Sequence, residues 1–220
     1  MKNRTKQVNR RAFLQKSSLL TLGALGTGTL FGFPTATTPF PIVSTQASDI
    51  NIVGPKEGYS PQIGTLVSMM TWMRMVILSP VRGMGVKELD YLHDEDANTI
   101  GAMLMHLAAT ERFYQIHTFE GKNWGDWPDA DTKRWSIASG LGENARKEIK
   151  GNNLDYYLDA LTEVREHTLA EFAKRDDDWL MTVDQDWPWG PTNNYCKWFH
   201  VCEHESNHNG QFKWIKSRIS

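Results

Sequence analysis

The sequence predicts an all-α protein built as an antiparallel four-helix bundle. Apolar residues recur at spacings of three and four over four long stretches, and each stretch opens near a residue suited to capping a helix. From Ser60 onward the chain nowhere alternates apolar and polar residues in the short runs that a sandwich or barrel needs. Its 220 residues, 40% apolar and 23% charged, suffice for one domain with a buried core and have the composition of a globular protein.

Residues 1–47 read differently from the rest. Asn9-Arg10-Arg11-Ala12-Phe13-Leu14 precedes a short, glycine-bearing apolar run from Ser17 to Phe33, and a Pro/Thr-rich stretch then ends at Ala47. A basic start, a short apolar middle and a small-residue end make a secretory signal. The paired arginines resemble a twin-arginine export signal. That resemblance implies a bacterial protein exported after folding, hence periplasmic or extracellular, by a route suited to chains loaded with a cofactor in the cytoplasm. The apolar run is short and diluted by Gly23, Gly26 and Gly28, so no stable membrane span is expected after cleavage. The expected organisation is a signal at 1–47 and a bundle domain at 48–220.

The first helix is expected over about 61–79, where Ser60-Pro61 opens it, Leu66, Met69, Met70, Met73, Val76 and Ile77 form its stripe, and Ser79-Pro80 stops it. The second, about 98–120, starts at Asn98 and carries Ile100, Met103, Leu104, Leu107, Glu111 and Tyr114 before Gly121 ends it. A long insertion, residues 122–152, follows; it holds Trp124, Trp127 and Trp135 and room for one or two short helices. Asn153 caps the third long helix, about 153–175, with Tyr157, Leu161, Val164, Leu169 and Phe172 on its buried stripe, and Asp176-Asp177-Asp178 ends it. An acidic, tryptophan-rich loop then feeds the fourth, about 193–218.

Charge and cysteines exclude two classes. The signal region holds six basic residues and no acid, which leaves 18 Lys plus Arg against 26 Asp plus Glu, a body of net −8. So acidic a body is unsuited to phosphate backbones, and no nucleic-acid partner is expected. Cys196 and Cys202, six apart on one helix, form no disulfide framework. The Met- and Trp-rich faces carry an expectation of homodimerisation.

Chemistry concentrates in the fourth helix, where His200, His204 and His208 follow one another at spacings of four. That spacing stacks imidazoles about 6 Å apart on one face, where two can share an ion. On a helical wheel His208 lies about 30° from the buried axis, His204 about 70° and His200 about 110°, so His204 and His208 face the bundle and His200 its edge. Core histidines bonded to Glu205 and the backbone are the alternative. A third ligand from another element would be His93, His106, His117 or His167; His106 is favoured because it sits on a broad apolar face among Met103, Thr110 and Phe113, whereas His93 and His167 lie in charged surroundings.

The stretch Thr99-Ile100-Gly101 through Leu104-Met105-His106-Leu107-Ala108-Ala109-Thr110-Glu111, paired with His200-Val201-Cys202-Glu203-His204-Glu205 and His208-Asn209-Gly210-Gln211, resembles the DinB-like (damage-inducible) metal-binding bundle family. The similarity runs from about Pro61 to Ile219. It implies that His106, His204 and His208 hold one divalent metal ion, Zn or Ni in preference to Mn or Fe. Two departures stand out: Asn207 where a histidine often precedes the last ligand, and the tryptophan-bearing segment 122–152.

Three imidazoles leave a coordination position open, the mark of catalytic sites. A water made acidic there can attack an electrophile, or a thiol can bind as thiolate. Glu205, beside a ligand, is the candidate base or supporting carboxylate, with an ion pair to a core-edge Arg or Lys as its alternative; packing is the favoured role of Glu111 and Tyr114. The resemblance implies a metal-dependent hydrolase or a transferase using low-molecular-weight thiols, acting on a small molecule. Hydrolysis is preferred for an exported chain, because such thiols are scarce outside the cytoplasm. The contrasting expectation is a non-catalytic metal-binding or stress-related ligand-binding protein.

Overall fold

The computed structural model describes residues 49–219; the expected export signal lies outside them. Among the described residues eight helices and one two-stranded ribbon occur in the order α1 Pro61–Leu78, α2 Val86–Leu89, α3 Ile100–Thr118, α4 Asp129–Gly140, α5 Gly142–Glu148, α6 Leu154–Phe172, α7 Asp177–Met181, β1 Val183–Asp184, β2 Thr192–Asn193 and α8 Asn194–Lys216. The all-α reading holds, and α1, α3, α6 and α8 are the four expected long helices. The ribbon pairs Val183 with Asn193 and Asp184 with Thr192, antiparallel, and closes the loop that carries Trp187 and Trp189.

Local chemistry explains most helix starts. The Asn153 side chain accepts from the Tyr156 N–H, and that of Asn193 accepts from the Cys196 N–H. Thr99, not Asn98, caps α3 by accepting from Ala102; Asn98 instead accepts the Gly142 N–H at 2.9 Å, tying the insertion to the bundle. The acidic run does more than end α6: Asp176 caps α7, and Asp177 accepts from the Ser60 hydroxyl at 2.6 Å and from the N–H groups of Gln62 and Ile63. The first turn of α1 is thus capped by a carboxylate 117 positions away.

Contacts set the sense of each helix. Arg74 reaches Glu205 and the Lys216 ammonium donates to the Pro80 carbonyl, so α1 and α8 run the same way. Gly101 lies against Tyr157 and Gln115 donates to Thr168, so α3 and α6 are also parallel. Trp198 donates to Thr118 while Met103 meets His208, which makes α3 and α8 antiparallel; Arg165 donating to the Met70 carbonyl and Arg74 to that of Leu161 does the same for α1 and α6. The antiparallel bundle expected from the sequence therefore takes an up-down-down-up form. The long insertion makes this possible, because it returns the chain to the end of the bundle where α3 began. Gly101 is required at its position: a Cβ there would stand 2.7 Å from the Tyr157 hydroxyl.

The insertion is folded onto the bundle. Helix α4 packs on α3 with Trp135 and Ala138 buried, and Trp127 stacks on Phe113 at 4.5 Å. One apolar cluster gathers α3, α4, α6 and the end of α8; a second gathers Ile63, Leu66, Met70, Phe172 and Trp198. No helix among the described residues is long and apolar enough to cross a membrane.

Candidate metal centre

Two helices bring one imidazole set together. His106, from the second turn of α3, and His204 and His208, one turn apart on α8, each turn a ring nitrogen to a common point, all within 4.8 Å of one another. Nε2 of His204 lies 2.9 Å from that of His106 and 3.0 Å from that of His208. The wheel had these two α8 histidines facing inward, and antiparallel packing of α3 on α8 supplies the third.

The outer nitrogens say what the inner ones carry. Nδ1 of His106 is 3.0 Å from the Ala138 carbonyl, which only accepts, so the proton sits on Nδ1 and Nε2 presents a lone pair. Nδ1 of His208 faces the Met103 thioether at 3.3 Å, again an acceptor, with the same consequence. Burial, then the neighbouring imidazoles His106, His208 and His200, push the His204 pKa down to about 3. Burial and His106 push His208 down to about 4, and burial also lowers His106 against the hydrogen bonds its ring donates to the backbone of Ala138 and Ser139. Neutral rings with inward lone pairs are what a divalent ion requires. Metal–nitrogen bonds of about 2.0–2.1 Å in a tetrahedron would set the nitrogens roughly 3.3 Å apart, a few tenths of an ångström beyond the 2.9 and 3.0 Å that separate the His204 Nε2 from its two neighbours. The donor set therefore fits a metal ion, and the hydrogen bond to Ala138, a residue of the insertion, orients one ligand.

The other histidines are placed elsewhere. His200 lies at the edge of the cluster, its Nδ1 2.9 Å from the Tyr114 hydroxyl and its ring 5.3 Å from that of His204. His93 is exposed against Trp214, and His167 is exposed against Phe119. His117 joins Asp184 and Lys197: the ammonium, 2% exposed, donates to Asp184 at 2.7 Å and lies 2.8 Å from the His117 Nε2. The hydrogen bond from Lys197 holds Asp184 below the ordinary carboxylate range.

Glu205 is 1% exposed, and its Oε1 accepts from Arg74 at 2.8 Å and Arg165 at 2.9 Å. Both guanidiniums also serve Glu111, which is wholly buried and accepts from Thr168 as well. Burial alone would raise the Glu111 pKa, but Arg165 and Arg74 outweigh it and hold the group below its usual range. Two arginines and two glutamates thus form a charge-balanced core between α1, α3, α6 and α8, and the hydrogen bonds of Glu205 go to that core. Glu205 thus makes the ion pair that was its alternative reading, with Arg74 and Arg165 as partners the sequence did not single out. Their signal was present: Arg74 follows Met70 by four and precedes Ile77 by three, and Arg165 follows Leu161 by four, so both fall on buried stripes.

A cavity of about 230 Å³ adjoins the cluster, lined by His204, His200, Tyr114, Trp124, Trp187 and Trp189 among others. Trp124 comes from the insertion and is 41% exposed, and Trp189 from the ribbon loop is 58% exposed, so the rim faces solvent.

No curated protein matches the chain. A protein-family model described as mycothiol-S-transferase matches residues 65–220, which takes in all four long helices but the first turn of α1, together with the three clustered histidines. The match covers well over half of the sequence, and with it the fold and the histidine cluster agree: the chain belongs to the mycothiol-S-transferase family of the DinB-like superfamily.

Proposed function

We propose that this protein is an exported metal-dependent thiol S-transferase in which His106, His204 and His208 hold the ion. The observation that carries the reading is the convergence of three Nε2 atoms beside an open cavity, in a chain of a family described as transferring thiols. The family match moves the preference from hydrolysis to thiol transfer. An ion held there supplies Lewis acidity, which keeps a low-molecular-weight thiol ionised at neutral pH.

The protein's own part is orientation and exclusion of water. Ala138 holds the His106 ring by its Nδ1–H, and the Arg74–Glu111–Arg165–Glu205 core fixes α1, α3, α6 and α8 against one another, hence the histidines they carry. His200, bonded to Tyr114, stands between the cluster and Trp189, where it can border a substrate without being a ligand. A rim of tryptophans shields the reacting atoms. The cavity's open rim favours an enzyme over a closed metal-storage site. Export rests on Arg10-Arg11, and a folded, metal-loaded chain suits that route.

The test is consumption of a low-molecular-weight thiol with an electrophile by protein loaded with zinc or nickel. Transfer that needs the metal and disappears in His204→Ala supports the reading. Hydrolysis of an ester or amide with no thiol uptake would replace it.

A further inference from the structure

We propose that the cavity beside the histidine cluster is a binding subsite for an uncharged aromatic compound bearing a hydrogen-bond acceptor, the electrophilic partner of the thiol. The proposal rests on the transferase reading for the ligand's role, but its binding chemistry is argued from the cavity alone.

The walls are aromatic rings set across one another. Trp124 and Trp187 meet at 70° with centroids 4.9 Å apart, Trp187 and Trp189 at 90° and 5.5 Å, and Trp189 meets His200 at 70° and 5.0 Å. Crossed rings leave faces and edges for a further ring to stack on. At about 230 Å³ the space lies below the usual range for drug-sized ligands and suits a substituted single ring or a fused pair.

Charge and hydrogen bonding narrow the class. Among the described residues no Asp, Glu, Asn, Gln, Lys or Arg lines the cavity, and the one cation the site would hold, an ion on the histidines, is taken by the thiolate in the transferase reading, so a phosphate or carboxylate on the second substrate finds no counter-ion of its own. An aromatic cage can instead bind a cation, but the Lys197 ammonium, 4.5 Å from the Trp187 centroid, already takes one face of that ring. A sugar needs several polar partners for its hydroxyls; besides Tyr114, which is engaged with His200, the hydroxyls offered are those of Thr110 and Ser139. These two hydroxyls can each donate to a single acceptor oxygen on a ring, such as that of a nitro or carbonyl group.

Binding can be measured without turnover. The full chain, freed of metal and again loaded with zinc, is titrated by ligand-detected nuclear magnetic resonance with 4-nitroanisole, 4-nitrobenzoate, (4-nitrophenyl)trimethylammonium and methyl glucoside. In the metal-free protein, where no ion can take the carboxylate of 4-nitrobenzoate, the neutral nitroarene should bind at least about tenfold more tightly than the other three, and the zinc-loaded protein should keep its affinity for it. Trp189→Ala, at an exposed position where folding is safe, should weaken it about tenfold through loss of a stacked pair. Ser139→Ala, which leaves the aromatic walls and removes a hydroxyl donor, should weaken it several-fold. Equal binding of a charged or sugar probe by the metal-free protein overturns the assignment, as does absence of nitroarene binding or its full retention in both variants. Selective nitroarene binding without thiol transfer leaves the subsite standing and removes the transferase reading; transfer insensitive to Trp189→Ala does the reverse.

Discussion

Replacing Glu205 with Gln probes what that buried carboxylate does. In the parent, two guanidiniums and two carboxylates balance, with Glu205 1% exposed and Arg165 and Arg74 donating to its Oε1 at 2.9 and 2.8 Å. Glutamine keeps an acceptor for those donors but removes one negative charge, so the core is left with an excess positive charge away from water. Breaking a buried pair in this way costs about 3–5 kcal/mol, and the retained hydrogen bond puts the expectation near the lower end. For a domain of this size each kcal/mol shifts Tm by about 2–4 °C, so Glu205→Gln should melt roughly 6–12 °C below the parent. Thermal unfolding followed by circular dichroism reads the shift. The double variant Arg74→Met/Glu205→Gln should lose less than the sum of the two singles, because removing both charges restores balance. A Tm within about 2 °C of the parent combined with lost activity would refute the structural role and return Glu205 to the part of a catalytic base.

Other perturbations separate the remaining assignments. His106→Ala, His204→Ala and His208→Ala should each strip the purified protein of its metal, whereas His200→Ala, whose ring is bonded to Tyr114, should keep most of it; elemental analysis decides. The metal-free protein should lose stability as pH falls below about 6.5, because unfolded histidines take up protons there while His204 and His208 stay neutral down to about 3 and 4; the loss should run through that window and flatten in the His204→Ala/His208→Ala variant, as read from Tm against pH. Gly101→Ala should destabilise by about 1–3 kcal/mol, since its Cβ would stand 2.7 Å from the Tyr157 hydroxyl; denaturant unfolding tests it. Arg10→Lys/Arg11→Lys should retain the protein in the cytoplasm, and a variant found outside it would dismiss the twin-arginine route.

The sequence alone determined whatever depends on neighbours a turn apart. Periodicity and capping residues located α1, α3, α6 and α8, and spacings of four put His204 and His208 on one inward face. These are properties of a single helix, legible wherever local geometry repeats. Tertiary structure decided everything that joins distant segments. The Asp177 carboxylate that caps α1, the parallel pairing of α1 with α8, and the Ala138 carbonyl that turns His106 come from parts of the chain whose meeting no local pattern records. The same holds for charge. Arg74, Arg165, Glu111 and Glu205 each look like ordinary polar residues on a stripe, and only their convergence makes burial tolerable. A buried charge is stable through its partner, and the partner is chosen by the packing of whole helices.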